Sequence, residues 1–323
     1  MGSGMYSAAT YKDVTAKKIM DGTTFGYSDK TRNAPRSEWK THESLAPTAK
    51  NSDGVIIRES RDGGDHPESV PIVVGFDDTG SMGVVPRVVQ QKLTLLFGLL
   101  IRRGFVQDPQ IMISAYGDAY CDAVPLQVSQ FESDNRIDDN LDNLFLEGGG
   151  GGNGGETSTM LWYYLANHTA ADAWEKRRKK GYVFIIGDER ALPLKPEHIT
   201  QYINSEAQVS EKDLTAEILA KNLQEKWEVY ILLIDNAAAK LQRSCEQYSK
   251  LFGKRNVLIV EDPESIAETI ALAIGALEGT LDKGELRSIL KDENTTSTAI
   301  VSATNAVAGL FGTTGVTAPD LKL

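Results

Sequence analysis

Sulfur and imidazole ligands are scarce in this chain: 323 residues hold two cysteines and four histidines. Cys121 and Cys245 stand far apart in no metal-ligand spacing, which argues against a disulfide framework and points to a reducing compartment. His42, His66, His168 and His198 show no ligand spacing either. Long apolar runs are missing as well. The longest, 266–277, is interrupted by Glu and Gly and is too short to span a bilayer. The first residues show no signal-peptide pattern, so the expected setting is cytoplasmic. Positive charge is in deficit, with 34 Lys and Arg against 45 Asp and Glu and a net charge of −11. That balance argues against a nucleic-acid-binding body. The one basic run, 176–180, reads as a solvated helix end before a strand rather than a phosphate-binding patch.

What the chain does have falls into three regions. Residues 1–69 form a polar arm without long apolar periodicity, with Phe25, Tyr27 and Trp39 as scattered anchor points. From residue 70 to about 281, apolar strands alternate with helical patterns. The β-branched run 70–76 predicts a strand buried on both faces. Val85, Val88, Val89, Leu93, Leu96, Leu99 and Leu100 predict a helix over 85–103, with Gly104 as its C-terminal glycine. Further strands are expected at 110–115, 182–186, 229–234 and 257–260. Further helices are expected at 136–145, 161–174, 214–226 and 263–277, the last opened by Pro263. This alternation predicts an α/β domain with a doubly wound, mostly parallel sheet. Residues 282–323 are expected to add a short charged helix at 283–293 and a flexible or loosely docked small-residue tail.

In an open parallel sheet, ligands bind outside the carboxyl ends of the strands. Three oxygen-rich segments are predicted to converge there: Asp77-x-Thr79-x-Ser81, Glu156-Thr157-Ser158 after the glycine run 148–155, and Asp188 after the strand 182–186. Alternate residues of an extended loop face the same way, so Asp77, Thr79 and Ser81 can address one ion together. Oxygen-only donors select hard cations, Mg²⁺ first, with Ca²⁺ or Mn²⁺ as alternatives. A donor set rich in neutral hydroxyls leaves the cation incompletely neutralised, so it still seeks an anionic ligand. The glycine run is not a phosphate loop, since no Lys follows it. Asp118 reads as a turn residue, and His168 as a helix end beside the aromatic trio Trp162, Tyr163 and Tyr164. That trio is expected mainly in the core, with one member exposed.

With these segments in place, the stretch 70–281 resembles the von Willebrand factor type A domains. Asp77-Asp78-Thr79-Gly80-Ser81 is similar to the first segment of their metal-ion-dependent adhesion site, with Thr79 at the middle position, and Gly187-Asp188-Glu189 to the third. The second segment departs from the family's Gly-Gly-Thr, reading Gly154-Gly155-Glu156-Thr157; Thr157 is the candidate ligand, with Glu156 in the expected register. More narrowly, the glycine run and the Gly-Asp-Glu ending resemble intracellular bacterial and phage members. The resemblance implies a metal site of Asp77, Thr79, Ser81, Thr157 and Asp188 that binds an Asp or Glu of a protein partner. It also implies adaptor work with an AAA+ ATPase of the MoxR type. Two alternatives stay open. One is a structural role in a phage particle or other large assembly. The other is a phosphotransferase of the haloacid-dehalogenase type, whose Asp-Lys-Thr-Gly-Thr motif Asp77–Ser81 partly matches; it lacks the Asp-x-Asp start and a clearly placed Lys.

Overall fold

The computed structural model describes residues 7, 26–149, 152–235, 237–293 and 295–311. Eight strands form within them: β1 (Arg58–Ser60), β2 (Val70–Asp77), β3 (Pro109–Tyr116), β4 (Leu126–Val128), β5 (Thr169–Ala171), β6 (Gly181–Gly187), β7 (Trp227–Ile234) and β8 (Val257–Val260). Six of them make one sheet in the order β4-β3-β2-β6-β7-β8, parallel except for β4 at the edge. β1 and β5 pair separately, in parallel. The fold class is therefore α/β with a mostly parallel, doubly wound sheet.

Strand alternation divides the core in two. Ile72, Val74 and Phe76 of β2 face one apolar layer, and Val73 faces the other. The first layer is closed by α2 (Val85–Arg102), α3 (Arg136–Asp142), α9 (Ile266–Leu277), α10 (Leu286–Asp292) and α11 (Ser297–Val307). The second is closed by α4 (Ser158–Asn167), α6 (Pro196–Tyr202), α7 (Ala216–Lys226) and α8 (Ala238–Phe252). α1 (Gly26–Arg32) and α5 (Asp172–Arg177) complete the described helices. Val85, Val88, Val89, Leu96, Leu99 and Leu100 are all buried, as their spacing predicts; Leu93 lies outside the described side chains. Gly104 adopts φ +68 after α2 and donates to Ile101 O, as a C-terminal glycine should. Among the described residues no helix is long and apolar enough to cross a membrane.

Several elements differ from expectation. The helix expected at 161–174 breaks at His168, where Thr169–Ala171 pairs with β1. Trp162, Tyr163 and Tyr164 are all buried, because the β1–β5 pair and α7 cover the side of α4 that a two-layer reading leaves exposed. The tail is docked over 297–307: Ala299, Ile300, Ala303 and Val307 of α11 are buried beside α9, and Ser302 Oγ lies 2.8 Å from Ser265 Oγ. Small side chains one turn apart let two helices approach closely, which a composition reading takes for looseness. Residues 312–323 lie outside the described residues, as do Phe25 and most of the arm before it. The described arm is tied down by Trp39, edge-on to Phe145 at 5.2 Å. The basic run is neutralised in place: Lys176 meets Asp172 at 2.7 Å, Arg177 meets Asp62 at 2.7 Å, and Lys179 meets Glu278 at 2.7 Å. Arg178 lies over the Trp174 ring.

Candidate metal site

The carboxyl edge of the sheet gathers side chains from β2, β6 and the segments that follow them. β2 ends at Asp77, and the chain leaves it through an extended Thr79 into a single turn, Gly80–Met82. Asp77 Oδ1 accepts from the Thr79 backbone N–H at 2.8 Å and from Thr79 Oγ1 at 2.6 Å. Thr79 Oγ1 lies 3.4 Å from Ser81 Oγ, which donates to Asp188 Oδ1 at 3.1 Å. One hydrogen-bonded chain thus joins Asp77, Thr79, Ser81 and Asp188, although 107 residues separate the last two. Asp77, Thr79 and Asp188 are buried, and Ser81 reaches solvent.

Asp77 Oδ2 is buried and has no hydrogen-bond partner, and the same is true of Glu156 Oε2. A carboxylate oxygen stripped of water and left unpaired costs free energy unless a cation meets it. The donor chemistry fits one: two carboxylates and two hydroxyls make a hard, oxygen-only set. It is modest in charge; among the described residues no three His, Cys, Asp or Glu side chains form a cation cage by themselves.

Glu156 and Thr157 occupy different roles. Thr157 is fully buried; its hydroxyl donates to Gly117 O at 2.8 Å and accepts from Ala119 N–H at 2.7 Å, pinning the loop after β3. Glu156 is held by its backbone, donating to Arg190 O and accepting from Leu192 N–H. Its side chain carries the unpaired oxygen. Gly155 makes this approach possible, since a Cβ there would stand 2.6 Å from Arg190 O. Gly155→Ala is therefore expected to cost about 1–3 kcal/mol in a urea melt, the range for overpacking. An unchanged midpoint would show that the segment 190–192 after β6 yields freely.

Asp78 points its chemistry elsewhere. Its backbone N–H donates to Tyr116 O, and Gln127 Nε2 lies 3.4 Å from Asp78 Oδ2, on the β3–β4 side of the edge. Burial holds its carboxyl well above the usual range, with the charges of Asp77, Asp122 and Glu147 adding to the effect. Burial likewise pushes Asp77 up to about 7 against the two hydrogen bonds from Thr79, and Glu156 up to about 10 with help from Asp77 and Asp118. Asp118 is a turn residue: its Oδ1 accepts from Tyr120 N–H at 3.0 Å. It also anchors the glycine run, accepting from Asn153 Nδ2 at 2.6 Å. That run packs on the site from above, with Gly80 N–H donating to Gly149 O at 2.8 Å; residues 150 and 151 lie outside the described residues. The arm braces its start through Arg36, 3.1 Å from Glu147.

One residue at this edge escapes sequence reasoning. Lys240, in the first turn of α8, places Nζ 2.8 Å from Asp188 Oδ2 and 2.7 Å from Glu189 Oε1. The helical spacing of Leu241, Cys245, Tyr248 and Phe252 is the signal that could have located its helix. No spacing links Lys240 to Asp188.

No family model matches the chain, and no curated protein matches it. Similar solved structures include the pilus adhesin SpaC from Lactobacillus rhamnosus GG in an open conformation. It is 10% identical with TM-score 0.44, over 68% of this chain and 31% of that one. Proximal thread matrix protein 1 from the mussel byssus is 13% identical with TM-score 0.43, over 65% of this chain and 48% of that one. The conserved hypothetical protein BatB from Bacteroides thetaiotaomicron is 9% identical with TM-score 0.38, over 66% of this chain and all of that one. The matched region thus spans about a third of SpaC and about half of the mussel protein. TM-scores below 0.5 at such identities assign no family, and the functional reading rests on the geometry of the chain itself.

Proposed function

We propose that residues 70–281 form a metal-dependent protein-binding module of the von Willebrand factor type A kind. In this reading Asp77, Thr79, Ser81 and Asp188 hold a divalent cation, Mg²⁺ in preference to Ca²⁺ or Mn²⁺. The second-loop donor is Glu156, with Thr157, the ligand implied by resemblance, positioning the loop instead. The observation that carries the reading is the buried, unpartnered Oδ2 of Asp77 at one end of the Thr79–Ser81–Asp188 chain. A bound cation would supply the attraction for a carboxylate of the partner. The protein's own residues orient the donors and exclude water from all but the Ser81 side. Two exposed apolar side chains, Val84 and Tyr120, follow β2 and β3 at this same edge and offer contact area around the site. An AAA+ ATPase is the partner class that the resemblance implies.

The test is an affinity capture with wild type and Asp77→Ala, each with and without chelator. Partner recovery is expected only for wild type with cation present, while both proteins keep the same circular dichroism. Recovery that survives chelation and the substitution would remove the metal bridge from the mechanism.

Lys240 is the specific observation that favours a second reading, as a phosphotransferase, because that chemistry needs a lysine at this edge. Its ammonium is on Asp188 and Glu189, however, and Thr79 stands where that family places its second Asp. Turnover of a generic aryl phosphate with Mg²⁺, lost in Asp77→Asn, would establish the enzyme reading over the binding one.

A further inference from the structure

We propose that Lys240 is a built-in counter-cation of the acidic edge, which holds Asp188 in the metal-free protein and competes with a divalent ion for it. The inference rests on the metal reading above and names its regulation.

The contacts are specific. The ammonium bridges Asp188 Oδ2 and Glu189 Oε1 at 2.8 and 2.7 Å, while the other oxygen of Asp188 accepts from Ser81. One turn later on the same helix, Ser244 Oγ donates to Asp188 O at 3.3 Å, so a single face of α8 lies over this residue. The side chains differ in burial. That of Asp188 is fully buried, whereas that of Lys240 is about a quarter exposed. Lysine also stands at an unfavourable place for its charge, because the first turn of a helix carries the positive end of the helix dipole. What offsets this is the cluster it faces: Asp188 and Glu189 directly, with Asp77 and Glu156 behind them.

A divalent ion held by Ser81 and Asp188 would lie beside the same carboxylate whose Oδ2 is 2.8 Å from the ammonium, and two cations on one carboxylate repel each other at short range. Loading the site therefore requires the ammonium to leave. Its stem of four methylenes and its partial exposure allow it to swing outward without moving α8. Cation affinity is accordingly lower than the oxygen donors alone would confer. The protein without metal is kept from carrying a bare anionic edge.

The experiment uses the full chain. Mn²⁺ binding is followed by the electron paramagnetic resonance of the free ion, for wild type, Lys240→Met, Lys240→Gln and Lys240→Arg. The neutral variants are expected to bind Mn²⁺ at least tenfold more tightly than wild type, and Lys240→Arg about as wild type does. In parallel, wild-type protein is acylated with an amine reagent with and without saturating Mg²⁺, and labelling of Lys240 is read by mass spectrometry. Labelling is expected to rise at least threefold with Mg²⁺; this arm needs no variant to fold. Unchanged Mn²⁺ affinity in folded neutral variants, or Lys240 labelling indifferent to bound Mg²⁺, would overturn the competition and leave the metal site standing. Absence of Mn²⁺ binding in every protein, wild type included, would overturn both.

Discussion

Asp77→Asn is expected to stabilise the metal-free protein at pH 8 while abolishing its response to divalent cations. Asn retains the oxygen that accepts from Thr79 N–H and Thr79 Oγ1, so the turn after β2 keeps its two hydrogen bonds. What the substitution removes is a carboxyl that burial pushes from 3.8 up to about 7. A carboxyl with a folded-state pKa above its unfolded value binds more protons folded than unfolded. Its contribution to stability therefore falls as pH rises from about 4 to about 7. The penalty at pH 8 is at most roughly 4 kcal/mol, from 1.36 kcal/mol per pH unit. In chelator, Asp77→Asn should melt about 5 °C or more above wild type at pH 8. The gap should narrow as pH falls through 7 and close near pH 4. With Mg²⁺ added, wild type should gain stability by mass action and the variant should not. Equal melting temperatures across that pH window would mean that the Asp77 carboxyl pays no burial penalty, and the need for a cation there would lose its main support.

Lys92→Met should cost about 3–5 kcal/mol, the range for stranding a buried charge. Lys92 on α2 meets Glu268 on α9 at 2.8 Å, and the Glu268 side chain is wholly buried. Its second oxygen has no partner, so without the ammonium the carboxylate is left with one long hydrogen bond, from Thr295 Oγ1 at 3.3 Å. The surroundings are apolar: Val74, Val89, Leu96, Ile266 and Ile270 line the same space. The double variant Lys92→Met/Glu268→Leu removes both charges and fills that space, and it should return close to wild-type stability. Urea unfolding of the single and double variants reads the difference. A double variant as unstable as the single one would place the cost in packing between α2 and α9 rather than in charge.

Much of the framework is legible residue by residue. The run from Val70 to Asp77 is buried at every position, and its neighbours on both sides are parallel strands, as continuous β-branched sequence requires. Asp77 and Asp188 stand at strand ends, and parallel pairing of adjacent strands brings such ends to one edge whatever lies between them. The β4 edge strand is harder to read, because three residues in antiparallel pairing carry too short a pattern. The docking of α11 is equally hidden, since Ala299 and Ala303 become packing residues only opposite α9.

The amino-acid pattern alone determined the class of sheet, the edge at which polar chemistry collects, and the carboxyl and hydroxyl groups that Asp77, Thr79, Ser81 and Asp188 bring to it. These follow from periodicity and from local backbone geometry, which act over a few residues. Only the tertiary structure decided that Glu156 rather than Thr157 keeps an unpaired oxygen, that Asp78 turns toward Gln127, and that Lys240 sits on Asp188. Each depends on which of several chemically equivalent groups the packing brings within hydrogen-bonding reach of a partner. One lysine among 34 basic residues carries no mark of that in its own neighbourhood of the chain.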